Sequence, residues 1–154
     1  MTGRAIDAGG PSSGHVAYHF SEANVVFCGD VLLVLGVRWM TGGASDVHWQ
    51  TMKRLRELPD DIVVYCAHEY TGANAQFAVH IDGANMALQQ VVAEVSRLRS
   101  KELPTVASVM FQEKAGNPFL RADNPEFTAK AGIESQGDTK AFFELFKMKE
   151  SFKQ

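Results

Sequence analysis

Three side chains capable of metal or acid–base chemistry stand at the ends of apolar, strand-like runs. His68 follows Ile62-Val63-Val64-Tyr65-Cys66 in "DIVVYCAHEYTGAN". Asp30 lies between Val25-Val26-Phe27-Cys28-Gly29 and Val31-Leu32-Leu33-Val34, and His15 follows Ser13-Gly14 at the head of a run to Phe20. Polar groups at the ends of buried strands are where α/β folds keep ligands and reacting groups. A carboxylate among apolar neighbours is costly to bury unless it is paired, hydrogen-bonded or metal-bound. As a turn residue after Gly29, Asp30 would need no such role. One carboxylate and two imidazoles on adjacent strand ends are the donor set of a zinc or iron site.

The other histidines offer less. His15 and His19 are four apart, but in a strand four residues span roughly 13 Å, too far for one ion. His19, His48 and His80 are expected as solvated or core-edge residues. Cys28 and Cys66 both sit in apolar runs and are expected as buried free thiols, and no C-x-x-C suggests a thiolate metal knuckle.

The elements that must position these groups follow from periodicity and turn chemistry. Near-continuous apolar runs predict strands over 15–20, 25–29, 31–35 and 62–66, the first two joined by Ser21-Glu22-Ala23-Asn24 as a hairpin turn. Gly42-Gly43 marks a loop, and Ser45 or Asp46 can cap a helix running to about Glu57. Helices are expected over 71–81, 84–101 and 139–152, with short helical pieces over 108–114 and 125–131. Residues 1–13 are polar and glycine-rich and read as a flexible leader. Residues 14–154 read as one domain, with 14–82 forming the sheet and its helices and 83–154 a helical region. The expected class is α/β (α+β), with one small mixed sheet followed by helices.

A chain of 154 residues suits one domain with a real core. Hydrophobic content of 45% and charged content of 21% describe a soluble globular chain. A net charge of −3 gives no reason to expect nucleic acid or an anionic membrane surface as partner. No apolar run is long enough to span a bilayer and no secretory leader is evident, so a cytoplasmic location is expected.

Taken together, the ordered blocks SGH (13–15), GD (29–30), HEYT (68–71) and NPFLR (117–121) make the chain resemble the C-terminal half of glyoxalase II, the hydroxyacylglutathione hydrolases of the metallo-β-lactamase superfamily. The resemblance runs from about Gly14 to Phe152. It implies half of an αββα sandwich, with His15 on one metal, Asp30 bridging two metals and His68 on the second. Zinc, iron or manganese would be the cofactor. It also implies that Arg38, Tyr70 and Lys149 hold a glutathione thioester. The chain contains no T-H-x-H-x-D-H, the block that supplies the family's four other ligands. Met40 stands where an aromatic is usual, and Phe146 where an arginine is usual.

Three readings follow. The chain is a truncated homologue of the hydrolase, weak or inactive alone, or active with a partner chain supplying the missing half. It is instead a reduced mononuclear metal hydrolase, or a non-enzymatic module that reuses the half-fold. Because the strands are apolar on both faces, a homo-oligomer is expected, in its simplest form a two-fold homodimer burying the sheet.

Overall fold

The structure, a computed structural model, describes residues 1–38, 45–134 and 137–152. Met40 and the Gly42-Gly43 loop signal lie outside the described residues. Among these residues five strands form one mixed sheet in the order β1 (Arg4–Asp7), β2 (Val16–Phe20), β3 (Val25–Gly29), β4 (Val63–Cys66), β5 (Ser108–Val109). All neighbouring pairs are antiparallel except β3 and β4. Among the described residues six helices accompany it: α1 (Ser45–Arg56), α2 (Thr71–Asp82), α3 (Met86–Arg99), α4 (Met110–Gly116), α5 (Pro125–Lys130) and α6 (Asp138–Ser151). Among the described residues, no helix is long and apolar enough to cross a membrane. The mixed sheet followed by helices is the expected architecture.

Local chemistry explains the boundaries. Asn24 takes a left-handed conformation (φ 53°) between β2 and β3, and its side chain donates to the Asp61 carbonyl (3.0 Å), tying the turn to the start of β4. Helix α3 begins at Met86, where the apolar stripe begins and two residues later than the expected span 84–101, because the Asn85 side chain accepts from the Ala87 and Leu88 amides. One sheet face packs Ile6, Ala17, Val26, Cys28 and Val64 against Trp49, Met52, Leu55 and Phe77. The other face carries Val16, Tyr18, Phe27 and Tyr65 in the open, with Phe27 and Tyr65 stacked at 5.1 Å.

Three expectations are corrected. Residues 4–7 are not part of a free leader. They pair with β2 and bury Ile6 in the core, and Thr51 and Arg54 of α1 donate to the Gly9 and Asp7 carbonyls. His48 is fully buried, with its Nε2 2.9 Å from the Val31 carbonyl, and burial lowers its pKa to about 4. The third correction matters most: residues 31–35 are not a strand. They form a buried turn in which Leu33 and Gly36 exchange both backbone hydrogen bonds at 3.0 Å, and Leu35 sits at φ 56°. An apolar run of this length can be buried without belonging to a sheet.

Such a loop must satisfy its backbone polar groups without strand partners. Side chains from several elements do so. His48 of α1 donates to Val31 O and the Cys28 thiol to Leu32 O (3.1 Å). Asn117 reaches the Leu33 and Gly36 carbonyls (3.3 and 3.1 Å), and Asn74 of α2 reaches Val34 O (2.9 Å). Lys149 of α6 caps Val37 O (3.1 Å), and the Leu35 amide donates to Glu113 of α4 (3.0 Å). Gly36 has no alternative, since a Cβ there would lie 2.6 Å from the Asn74 side chain.

Glu113 is completely buried, and desolvation raises its pKa from 4.5 to about 7 against the pull of hydrogen bonds from the Asn117 side chain and the Leu35 amide. A carboxyl whose folded pKa is raised contributes most below its unfolded value and loses that contribution as pH rises through the folded value. Relative to Glu113→Gln, the natural chain should therefore lose stability between roughly pH 4.5 and pH 7 and change little above. The upper bound is about 3 kcal/mol, at 1.36 kcal/mol per unit. Urea unfolding of both chains at pH 5 and pH 8 measures this, and parallel pH profiles would show that Glu113 is not the titrating group.

Candidate functional site

The parallel pairing of β3 and β4 brings two of the sequence-selected residues together. Gly29 aligns with Cys66 after a register shift, and the Ala67 amide donates to Gly29 O (3.0 Å). Both strands therefore end at the same level, and Asp30, one residue past β3, meets His68, two residues past β4. Asp30 Oδ1 lies 3.0 Å from His68 Nε2. That separation suits a hydrogen bond but the alignment does not, and Oδ1 remains buried without a hydrogen-bond partner among the described residues.

Arg38 completes the cluster from the far end of the buried turn. Its amide donates to Asp30 O (3.3 Å), fixing the mouth of the loop. Its Nη1 contacts His68 Nε2, and its Nε lies 3.6 Å from Asp30 Oδ2. Tyr70 stacks on the His68 ring at 4.8 Å with only 3° between planes, and the Arg38 guanidinium lies 6.0 Å from the Tyr70 ring centre. Glu69 turns the other way and accepts from the Thr105 amide and hydroxyl, anchoring the segment between β4 and α2.

His15 is near but differently engaged. Its Nε2 lies 3.0 Å from Cys28 O, and its ring rests on Gly29. Gly29 is at φ 58°, and a Cβ there would lie 2.7 Å from the His15 ring, so glycine is required by both conformation and space. The structure thus gathers Asp30, His68 and Arg38 and lays His15 on the backbone one residue from Asp30. Among the described residues, no three His, Cys, Asp or Glu side chains converge as a ready metal site. Asp30 Oδ1 and His68 Nε2 are nevertheless a fitting carboxylate–imidazole donor pair for a divalent ion, one donor short of the usual three.

Beside the cluster lies a cavity of about 360 Å³ whose walls include Arg38, Tyr70, Asn74, Phe146 and Lys149. All three residues selected for substrate contact share it. Lys149 Nζ donates to Asn74 Oδ1 (2.6 Å), and burial lowers its pKa to about 8. A larger hollow of about 760 Å³, between Gly132–Glu134 and α6, carries Glu134, Lys140 and Glu144 and lies apart from this cluster. Size alone does not mark the site. Asn74 escaped the sequence reading, although an amide on a helix face shared with the buried Ala75, Phe77 and Ala78 was a usable signal. The NPFLR block turns out to be structural. Asn117 clamps the buried turn and caps the following 3₁₀ turn, while Arg121 pairs with buried Asp82 and covers the Phe127 ring.

Comparison with known proteins bears on the family and the fold. Residues 69–152 match the family described as hydroxyacylglutathione hydrolase C-terminus, and residues 2–68 match the metallo-beta-lactamase superfamily. A hydroxyacylglutathione hydrolase of Methylococcus capsulatus is 41% identical, over 97% of this chain and 59% of the relative. One from Erythrobacter litoralis is 44% identical, over 90% of this chain and 55% of the relative. The chain therefore spans little more than half the length of these relatives. Among solved structures, ETHE1 from Myxococcus xanthus superposes with a TM-score of 0.55 at 21% identity, covering 94% of this chain and 44% of that one. A metallo-beta-lactamase from Staphylococcus aureus superposes at 0.52 and 12% identity, over 96% of this chain and 38% of that one. These two share the fold. The match over residues 69–152, together with relatives more than 40% identical over nearly the whole chain, places the chain in the hydroxyacylglutathione hydrolase (glyoxalase II) family of the metallo-β-lactamase superfamily.

Proposed function

We propose that this chain is the part of a glutathione-thioester hydrolase that holds the substrate and half of the metal centre. The observation that carries the reading is the Asp30–His68 pair opening beside a cavity walled by Arg38, Tyr70 and Lys149. Two cations and an aromatic ring suit a small anionic peptide: Arg38 and Lys149 bind carboxylates by charge-assisted hydrogen bonds, and Tyr70 stacks or donates. Asp30 and His68 would hold the ion. A metal bound there would polarise the thioester carbonyl as a Lewis acid. With only two converging donors among the described residues, tight binding needs further ligands, so the chain by itself hydrolyses S-lactoylglutathione weakly or not at all. Turnover assayed with added zinc, iron or manganese tests this. Metal-dependent turnover that Asp30→Ala abolishes would overturn the expectation.

Lys149 gives the cavity a pH signature. Below about pH 8 its ammonium is charged and attracts an anion, and above it the charge is lost. Binding of S-methylglutathione, followed by calorimetry, is expected to weaken as pH rises through about 8, and Lys149→Met should remove that step. A flat profile in the natural chain would exclude Lys149 as the anion-binding group.

The open sheet face favours a second reading, an oligomeric module. Tyr18, Phe27 and Tyr65 are 51%, 45% and 39% exposed. At 150–250 Å² per aromatic side chain they offer on the order of 300 Å² of apolar surface. A standard interface uses about 800 Å² per partner, so a dimer through this face would also engage its rim. Light scattering is expected to give twice the 16.9 kDa chain mass, and Phe27→Asp to split the dimer. A stable monomer at micromolar concentration would end this reading.

A further inference from the structure

The Asp30–His68 pair already has a cation against it. One ring nitrogen cannot both donate to Asp30 and accept from Arg38. The Arg38 Nη1 contact makes His68 Nε2 an acceptor, which places the ring proton on Nδ1. Asp30 Oδ1 has no donor among the described residues. Two lone-pair atoms thus sit 3.0 Å apart, with a guanidinium beside both residues. Oxygen and nitrogen ligands at 2.0–2.2 Å from a shared ion lie about 3 Å from each other, so the bite of the pair is that of a chelate. The guanidinium, in contact with His68 and 3.6 Å from Asp30 Oδ2, sets a positive group where such an ion would stand.

We propose that Arg38 is the resident cation of this pair, and that its guanidinium and a divalent metal ion compete for Asp30 and His68. The proposal rests on the reading of those two residues as metal ligands. Arg38 need not travel far to yield. Its amide is pinned to Asp30 O, while its side chain already borders Tyr70 and the cavity that holds Lys149. Displaced from the pair, it joins Lys149 as a second anion-binding group. Metal and anionic ligand should therefore favour each other, since each draws Arg38 to the same side, and linkage makes the effect reciprocal.

The test is Co(II) binding to the full chain, followed by visible absorption and calorimetry, for the natural protein, Arg38→Gln and Arg38→Met. Circular dichroism and thermal melting establish that the variants fold. If the guanidinium occupies the pair most of the time, removing it raises apparent affinity about tenfold or more. Saturating S-methylglutathione should tighten Co(II) binding to the natural chain and leave the variants unchanged. Equal or weaker Co(II) binding by folded variants overturns the proposal, as does an absence of binding in all three up to millimolar Co(II). If Asp30→Asn abolishes Co(II) binding while the Arg38 variants behave like the natural chain, the ligand assignment stands and the competition alone fails.

Discussion

Burying a stretch of backbone that belongs to no sheet or helix is the constraint on which the rest of this fold depends. Residues 31–37 run through the core as a turn, and each buried carbonyl left without a partner would cost about 1–3 kcal/mol. The remedy comes from side chains of α1, α2, α4 and α6 together with Cys28 and Asn117. Those helices lie where they do partly because each must deliver one polar group to this loop. Glu113 and Asn117 are the centre of the arrangement, since they bond each other (2.9 Å) as well as the loop.

The chemistry inherits its geometry from the same device. Asp30 stands at one mouth of the turn and Arg38 at the other, and the bond from the Arg38 amide to Asp30 O closes the loop. His68 arrives separately, at the end of the parallel neighbour of β3. Lys149 serves twice, as a cap for Val37 O and as a wall of the cavity. Its partial desolvation is a cost of that double placement, visible in the lowered pKa.

Much of this was legible in the sequence. The amphipathic stripes of α3 and α6, the hairpin at Asn24 and the strand before His68 all follow from local pattern. Asp30 and His68 could be paired as site residues because each stands at the end of a distinct apolar run. What was not legible depends on distant partners. The run 31–35 has the composition of a strand, and only Asn74, Glu113 and Asn117, far along the chain, make a turn affordable there. His48 reads as an ordinary helix residue until Val31 O is placed against it. Arg4–Asp7 has too few apolar residues to announce a strand, and is recruited by the free edge of β2.

The loop's partners also set an order in time. The bonds that satisfy it span 17 residues to His48, 40 to Asn74, 78 to Glu113 and 112 between Val37 and Lys149. Contacts of such long sequence separation are slow to form, because chain closure must precede any gain from them. The turn between Asp30 and Arg38 is therefore expected to be satisfied late, as the helices that carry its partners dock. For the same reason it is among the first parts to loosen when any one of those four helices lifts away.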